Sequence, residues 1–258
     1  MKEKIKYYDS FSQDMVQSKE QDYSLPEDYR WIRPGFWHRL GARLVYGTAI
    51  AVGYPACKIA LGMTIRNQKI LRQCDGCGYF LYANHTQPVG DVVLPAFLHP
   101  GKRIYTVVST ANLGIPVIGR ILPALGALPI PGSIRQMKQF LEAVTQRIAQ
   151  GNCVVIYPEA HVWPYCTQIR PFPASSFRFP VETDAPAFAM TTTYQKRPWG
   201  KKPRITVYVD GPFRPDPSLP PKARQTKLQQ EIRQAMEQRS KESTYEYIHY
   251  QKKGDSMA

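Results

Sequence analysis

The sequence predicts an α/β fold: a mixed, largely parallel sheet flanked by helices, preceded by an N-terminal helical motif that associates with a membrane. Three observations carry this expectation. From Gly78 onward, short apolar runs of strand length recur with a helix-period segment among them. Two of these runs stop at polar pairs, Asn84-His85 and Pro158-Glu159, as buried strands do where they leave a sheet. Before them, Leu44 to Met63 runs for 20 residues with Lys58 as its only charge.

Taken in order, Met1 to Arg30 mixes charges without helical or strand period and is interrupted by Pro26, which predicts a loosely held arm. An aromatic and basic segment follows, with Trp31, Phe36 and Trp37 among Arg30, Arg33, His38, Arg39 and Arg43. The apolar stretch after it has the length of a membrane span. Three glycines and Pro55 weaken that reading, and basic residues flank both ends: Arg39 and Arg43 before, Arg66, Lys69 and Arg72 after. Both ends then belong on one membrane face. A helical hairpin bent near Gly53 and Pro55 and dipping into one leaflet fits, as does a buried pair of core helices. Strands are expected at Tyr79–Ala83, Arg103–Val108, Cys153–Tyr157, Pro186–Tyr194 and Arg204–Asp210. Ser133 can cap a helix whose apolar positions Ile134, Met137, Leu141, Val144 and Ile148 step by three and four, with Gly151 at its C-terminal end. Five prolines between Pro212 and Pro221 make an extended connector, and a polar helix from about Ala223 to Glu242 leads to the tail.

Composition bounds the function. The 258 residues include 34 Lys+Arg against 20 Asp+Glu, a formal charge of +14, which predicts an anionic partner. A 43% hydrophobic content supports a packed core and excludes wholesale disorder. The 23 prolines argue against a simple helical bundle. Five cysteines in a chain of this length do not make a disulfide scaffold, and no secretory signal opens the sequence, so a cytoplasmic-face location is expected.

In an open α/β sheet, ligands bind outside the carboxyl ends of the strands. His85 and Asp91 fall there, six residues apart, and a carboxylate close behind a histidine can fix its tautomer and raise its basicity. Glu159 converges on the same edge. There is no Gly-x-Ser-x-Gly nucleophile elbow, glycine-rich phosphate loop or dinucleotide fingerprint. Cys74-Asp75-Gly76-Cys77 supplies only two of four zinc ligands and reads better as a tight turn, so no metal is expected. The run Lys196-Arg197-Pro198-Trp199-Gly200-Lys201-Lys202 is a basic, aromatic loop between two strands, suited to anionic headgroups or to plain solvent exposure.

Four blocks, Asn84 to Asp91, Leu125 to Ile130, Tyr157-Pro158-Glu159 and Ala185-Pro186, resemble in order and spacing those of the 1-acylglycerol-3-phosphate acyltransferase family. The resemblance runs from about Phe36 to Asp210. It implies a glycerolipid-acyltransferase-like fold. It also implies transfer of a fatty acyl group from acyl-CoA or acyl carrier protein to a lipid hydroxyl, with no bound cofactor. By it, His85 is the general base, Asp91 its orienting carboxylate and Glu159 part of the acceptor site. The chain then divides into a polar arm (1–30), a membrane-associated helical motif (31–72), the α/β acyltransferase domain (73–215) and a C-terminal helix and tail (216–258). Membrane lipids, rather than nucleic acid, are the expected partner. An acyl-thioesterase on the same scaffold is the alternative, as is a basic nucleic-acid-binding protein, although the latter leaves His85, Asp91 and the apolar stretch without a role.

The departures concern the acceptor. Five residues separate His85 from Asp91 where the family usually has four, and Gly90 can absorb the extra one. The family's third block usually reads Phe-Pro-Glu-Gly-Thr-Arg, against Tyr157-Pro158-Glu159-Ala160-His161-Val162 here. Gly132 and Val162 stand where arginines are usual, and Pro173-Ala174 replace a basic pair. Either the acceptor carries no phosphate and His161 meets a neutral hydroxyl, or Arg135, Arg170 or Arg178 has taken over the phosphate contact.

Overall fold

A computed structural model of the chain describes residues 4–16, 23–33, 35–88, 90–198 and 200–254. The elements are β1 (Lys4–Tyr8), α1 (Phe36–Ala60), β2 (Thr64–Arg66), β3 (Tyr79–Ala83), α2 (Gly90–Val93), β4 (Ile104–Val108), α3 (Ala111–Gly114), α4 (Ile118–Leu125), β5 (Ala127–Pro129), α5 (Ile134–Ala149), β6 (Cys153–Ile156), α6 (Arg178–Thr183), β7 (Ala187–Gln195), β8 (Arg204–Phe213), α7 (Pro221–Ser240) and β9 (Ile248–Lys252).

Seven strands form one sheet in the order β2-β8-β7-β3-β6-β4-β5. From β7 to β5 the strands are parallel; β8 runs antiparallel to β7, and β2 parallel to β8. All five residues of β3 are buried, as an apolar run without alternation requires in a sheet covered on both faces. Its side chains still divide by the pleat. Phe80 and Tyr82 join Val154, Ile156, Phe140, Val144, Leu228, Ile232 and Met236 beneath α5 and α7. Tyr79, Leu81 and Ala83 join Val155, Phe188, Met190, Leu71, Leu94 and Phe97 on the α1 side.

Several elements depart from expectation. The arm is not loose where it is described: β1 pairs in parallel with β9 from the other end of the chain, in the register Lys4 to Ile248 through Tyr8 to Lys252. A five-residue strand whose partner lies over 240 residues away leaves no local signal. The three-residue strands β2 and β5, and the short helices α3 and α4, were equally invisible to periodicity. In α5, Ser133 does cap, accepting from Gln136 N at 3.3 Å. However, Ile134 is 94% exposed, and the buried face is set by Phe140, Ala143, Val144 and Ile148.

The apolar stretch forms neither a hairpin nor a buried helix pair. Its residues Leu44 to Ala60 lie within the single 25-residue helix α1, which continues through Pro55 and buries only Cys57 fully, and Met63 beyond the helix end is buried in the core. Among the described residues, no helix is long and apolar enough to cross a membrane. Tyr46, Ile50 and Cys57 pack inward, with Gly53 against the Phe97 ring. Trp37, Leu40, Leu44, Val52 and Ile59, at steps of three, four, eight and seven residues, form an exposed stripe on the other side. Apolar residues on two opposite faces erase the amphipathic signal, so the sequence reads as a uniform run.

Trp31 also leaves the motif to which the sequence assigned it. It is 7% exposed, its indole Nε1 donates to the Pro129 carbonyl at 2.9 Å, and it meets Tyr29 and Phe140 edge to face. Trp31→Ala should therefore cost about 3–5 kcal/mol in denaturant unfolding, with Trp31→Phe losing less because the ring remains. A Trp31→Ala protein as stable as the parent would show that the segment before α1 does not belong to the core.

Candidate active site

Asn84 carries the β3–β7 ladder one step past the strand. Its side-chain amide donates to the Thr192 carbonyl at 3.0 Å, and its side-chain carbonyl accepts from Thr192 N at 2.8 Å. The chain then turns at His85, where three bonds hold the backbone of His85 and Thr86. His85 N donates to Glu159 Oε2 at 3.0 Å, Trp163 N donates to the His85 carbonyl at 3.1 Å, and Tyr165 N donates to the Thr86 carbonyl at 2.9 Å. The segment after β3 is thus held to the segment after β6.

Asp91 returns from α2 to meet the histidine. Its Oδ2 lies 2.8 Å from His85 Nδ1 and also accepts from Thr86 N at 3.0 Å and Gln87 N at 2.9 Å. Asp91 is 2% exposed, while the His85 side chain keeps 20% exposure. An ionised carboxylate accepts only, so Nδ1 carries the proton and the Nε2 lone pair is left for a substrate. Among the described residues, Nε2 has no protein partner. Tyr157 stacks on the imidazole with ring centroids 4.4 Å apart and donates its hydroxyl to the Asp91 carbonyl at 2.7 Å. On the far side, Tyr194 joins the Thr86 hydroxyl at 2.9 Å and accepts from Gln87 Nε2 at 3.1 Å.

Glu159 reaches this edge, but its carboxylate faces the protein. Oε1 accepts from Arg170 N at 2.9 Å, and Oε2 lies 2.7 Å from the Arg170 guanidinium besides holding His85 N. Both side chains are 2% exposed. Arg170 further donates to the His161 carbonyl and stacks over Trp163, its guanidinium carbon 4.9 Å from the ring centroid. Both Glu159 oxygens are thus taken up by protein donors, while Arg170 Nε and Nη1 are buried without a hydrogen-bond partner among the described residues. Ala160 between them holds a left-handed φ of 65°, where the family usually has glycine.

The other candidates separate. Arg178 pairs with Glu182 along α6, at 3.3 Å, and α6 feeds the amino end of β7, the edge opposite His85. His161 is half-exposed, its Nδ1 3.9 Å from Asp14 of the N-terminal segment. Arg135 stands at the start of α5 and lines a cavity of about 440 Å³ with Tyr23, Leu25, Thr110 and Gly132. Thr110 and Gly132 follow β4 and β5, so the cavity shares the carboxyl edge with His85. Burial pushes the thiols of Cys74 and Cys166 up to about 12, and that of Cys57 up as well, so they remain thiols rather than nucleophilic thiolates. Lys102 Nζ ties the turn at Cys74–Cys77, bonding those two carbonyls at 2.5 and 2.7 Å. Among the described residues, no group of three or more His, Cys, Asp and Glu side chains could hold a metal. The basic loop joins β7 to β8, and Arg197 donates to the Ala60 carbonyl at the end of α1; Trp199 lies outside the described residues.

Sequence reasoning passed over Asn84 and Tyr157 as functional supports, although both stand inside blocks it singled out. Removing one partner of a buried ion pair leaves an uncompensated charge, so Arg170→Ala should cost about 3–5 kcal/mol of stability. A variant of unchanged unfolding midpoint whose only defect is a raised acceptor KM would instead make Arg170 an acceptor ligand.

The fold is similar to that in the crystal structure of the 1-acyl-sn-glycerophosphate (LPA) acyltransferase PlsC from Thermotoga maritima, with a TM-score of 0.55, 12% sequence identity, and coverage of 80% of this chain and 83% of that one. Compared with curated proteins, the sequence matches none. The family model described as Acyltransferase matches residues 62–193, a stretch that holds His85, Asp91, Tyr157, Glu159 and Arg170. On that match, the chain belongs to the acyltransferase family.

Proposed function

We propose that the protein transfers a fatty acyl group from an acyl thioester, acyl-CoA or acyl carrier protein, to a hydroxyl of a (lyso)glycerolipid at a membrane surface on the cytoplasmic face. The observation that carries this reading is the 2.8 Å contact between buried Asp91 and His85 Nδ1, with Nε2 left for substrate. A lipid hydroxyl is a poor nucleophile until its proton is taken. His85 Nε2 accepts that proton as the oxygen attacks the thioester carbonyl. Asp91 stabilises the imidazolium that forms. Collapse of the tetrahedral intermediate breaks the carbon–sulfur bond, and the imidazolium returns its proton to the departing thiolate. Such a base typically contributes about 10²- to 10⁴-fold. The acyl group passes directly, since the buried thiols offer no nucleophile.

Arg135 and the cavity beside it are the acceptor headgroup site in this reading, and a phosphate there would meet one guanidinium. The similarity to the LPA acyltransferase from Thermotoga maritima supports lysophosphatidic acid as the first acceptor to try. Purified protein given labelled acyl-CoA and lysophosphatidic acid should form the diacyl product, and His85→Ala should lower kcat at least 10²-fold. Asp91→Asn should lose less, because a hydrogen-bonding partner remains. Free fatty acid without acyl-lipid would identify a thioesterase, and transfer retained in His85→Ala would end the general-base role.

The outer stripe of α1 supports the membrane side of the proposal. Trp37 is 79% exposed and Ile59 79% exposed, and Arg39, Arg43 and Lys58 lie on the same helix. An exposed apolar stripe on a helix that also carries cations suits a helix lying in the plane of an anionic bilayer. Replacing Trp37 and Leu44 by Ser should weaken sedimentation with anionic vesicles while leaving the unfolding midpoint unchanged. Full release of the parent protein by high salt would show that charge alone holds it.

A further inference from the structure

Tyr157 is the residue in contact with both members of the pair, and the reason lies in the helix that carries Asp91. An α-helical carbonyl accepts from the N–H four residues on. For Asp91 that residue is Pro95, which has no N–H. The helix α2 stops after a single turn, and a 3₁₀ turn, Leu94–Phe97, replaces it. The Asp91 carbonyl is thereby orphaned at a residue that is 2% exposed, where an unmade bond costs most. The Tyr157 hydroxyl fills the vacancy at 2.7 Å, while its ring lies 4.4 Å from the His85 ring at an interplanar angle of 27°.

We propose that Tyr157 is a positioning residue that clamps the backbone of Asp91 and the ring of His85 in one geometry, in place of the helical hydrogen bond that Pro95 removes. The longer His85–Asp91 spacer gives the clamp its purpose. With five residues between the partners, the loop has more freedom to carry Asp91 away from Nδ1; Thr86 N and Gln87 N restrain the carboxylate, and the Gln87 carbonyl accepts from Asp91 N at 3.1 Å. Tyr157 adds the restraint on the Asp91 carbonyl, from a segment outside the loop. The tyrosine is rooted one residue past β6, in the segment that Glu159 fixes, so the clamp transmits the order of the sheet to the loop. Its hydroxyl is a dependable donor, because burial pushes its pKa well above the ordinary tyrosine range.

The inference rests on the His85–Asp91 pair being the general base, and the test separates the two ideas. Tyr157→Phe keeps the ring and removes only the clamp. With acyl-CoA and lysophosphatidic acid it should lower kcat roughly tenfold, since small misplacements of catalytic groups are costly, while KM stays within about twofold. Pro95→Ala added to Tyr157→Phe returns an N–H to the Asp91 carbonyl and should recover most of the loss. Proton NMR of the histidine rings provides a readout that needs no substrate: the low-field His85 Nδ1–H resonance should shift or broaden in Tyr157→Phe and return in the double variant. Wild-type kcat and an unmoved resonance in Tyr157→Phe, with His85→Ala inactive, would overturn the clamp and leave the base standing. A double variant no better than Tyr157→Phe would show that the hydroxyl does not replace a helical bond. An active His85→Ala would remove the base, and the clamp with it.

Discussion

The carboxylate of Glu159 joins two segments that leave the carboxyl edge of the sheet with no ladder to guide them. One oxygen holds the backbone N–H of His85, the other the backbone N–H of Arg170, and the Arg170 side chain neutralises the charge. Charge-assisted bonds of this kind are short and directional, and in a site closed to water they keep much of their strength. The cost of burying two ions is met by spreading the bonds over three chain positions. The His85 backbone is fixed from that knot, the His85–Asp91 pair is assembled on the fixed backbone, and the order of construction runs from sheet to knot to pair.

Much of the central sheet was legible because buried parallel strands announce themselves as uninterrupted apolar runs. Tyr79–Ala83 and Cys153–Ile156 were found nearly to the residue, and their polar endings pointed to the correct edge. What periodicity cannot see is a strand of three residues, such as β2 or β5, or one whose partner is remote, such as β1. The nearness of His85 to Asp91 was suggested by their spacing, by Glu159 at the same edge and by the family resemblance. The inward turn of Glu159 was not, because a carboxylate after a strand looks the same in sequence whether it faces a ligand or an arginine. Arg170, Arg178 and Arg135 were equal candidates on composition; burial, a helical salt bridge and a cavity give them three different surroundings.

The helix α1 shows how one composition can carry two apolar faces. One face packs on the core, and the other is exposed. A segment that carries both has the mean composition of a membrane span without its uniform purpose. Gly53, whose Cβ position would sit 3.4 Å from the Phe97 ring, lets the inner face approach closely. Pro55 is tolerated because the neighbouring contacts hold the helix on both sides of it.

The parallel pairing of β1 with β9 sets a schedule for synthesis. Its two strands come from opposite ends of the chain, and together with Trp163 and Tyr250 they form the aromatic platform under the loop that follows Glu159. Trp163 also donates to the His85 carbonyl through its backbone and to the Gln13 carbonyl through its indole. Contacts of such long separation pay their full loop-closure entropy before they return anything. On the ribosome, the sheet from β2 to β8 can assemble while β9 is still unmade. The aromatic packing behind that loop is completed when residues near 250 emerge, after the Glu159, Trp163 and Tyr165 contacts to the His85 segment can already form.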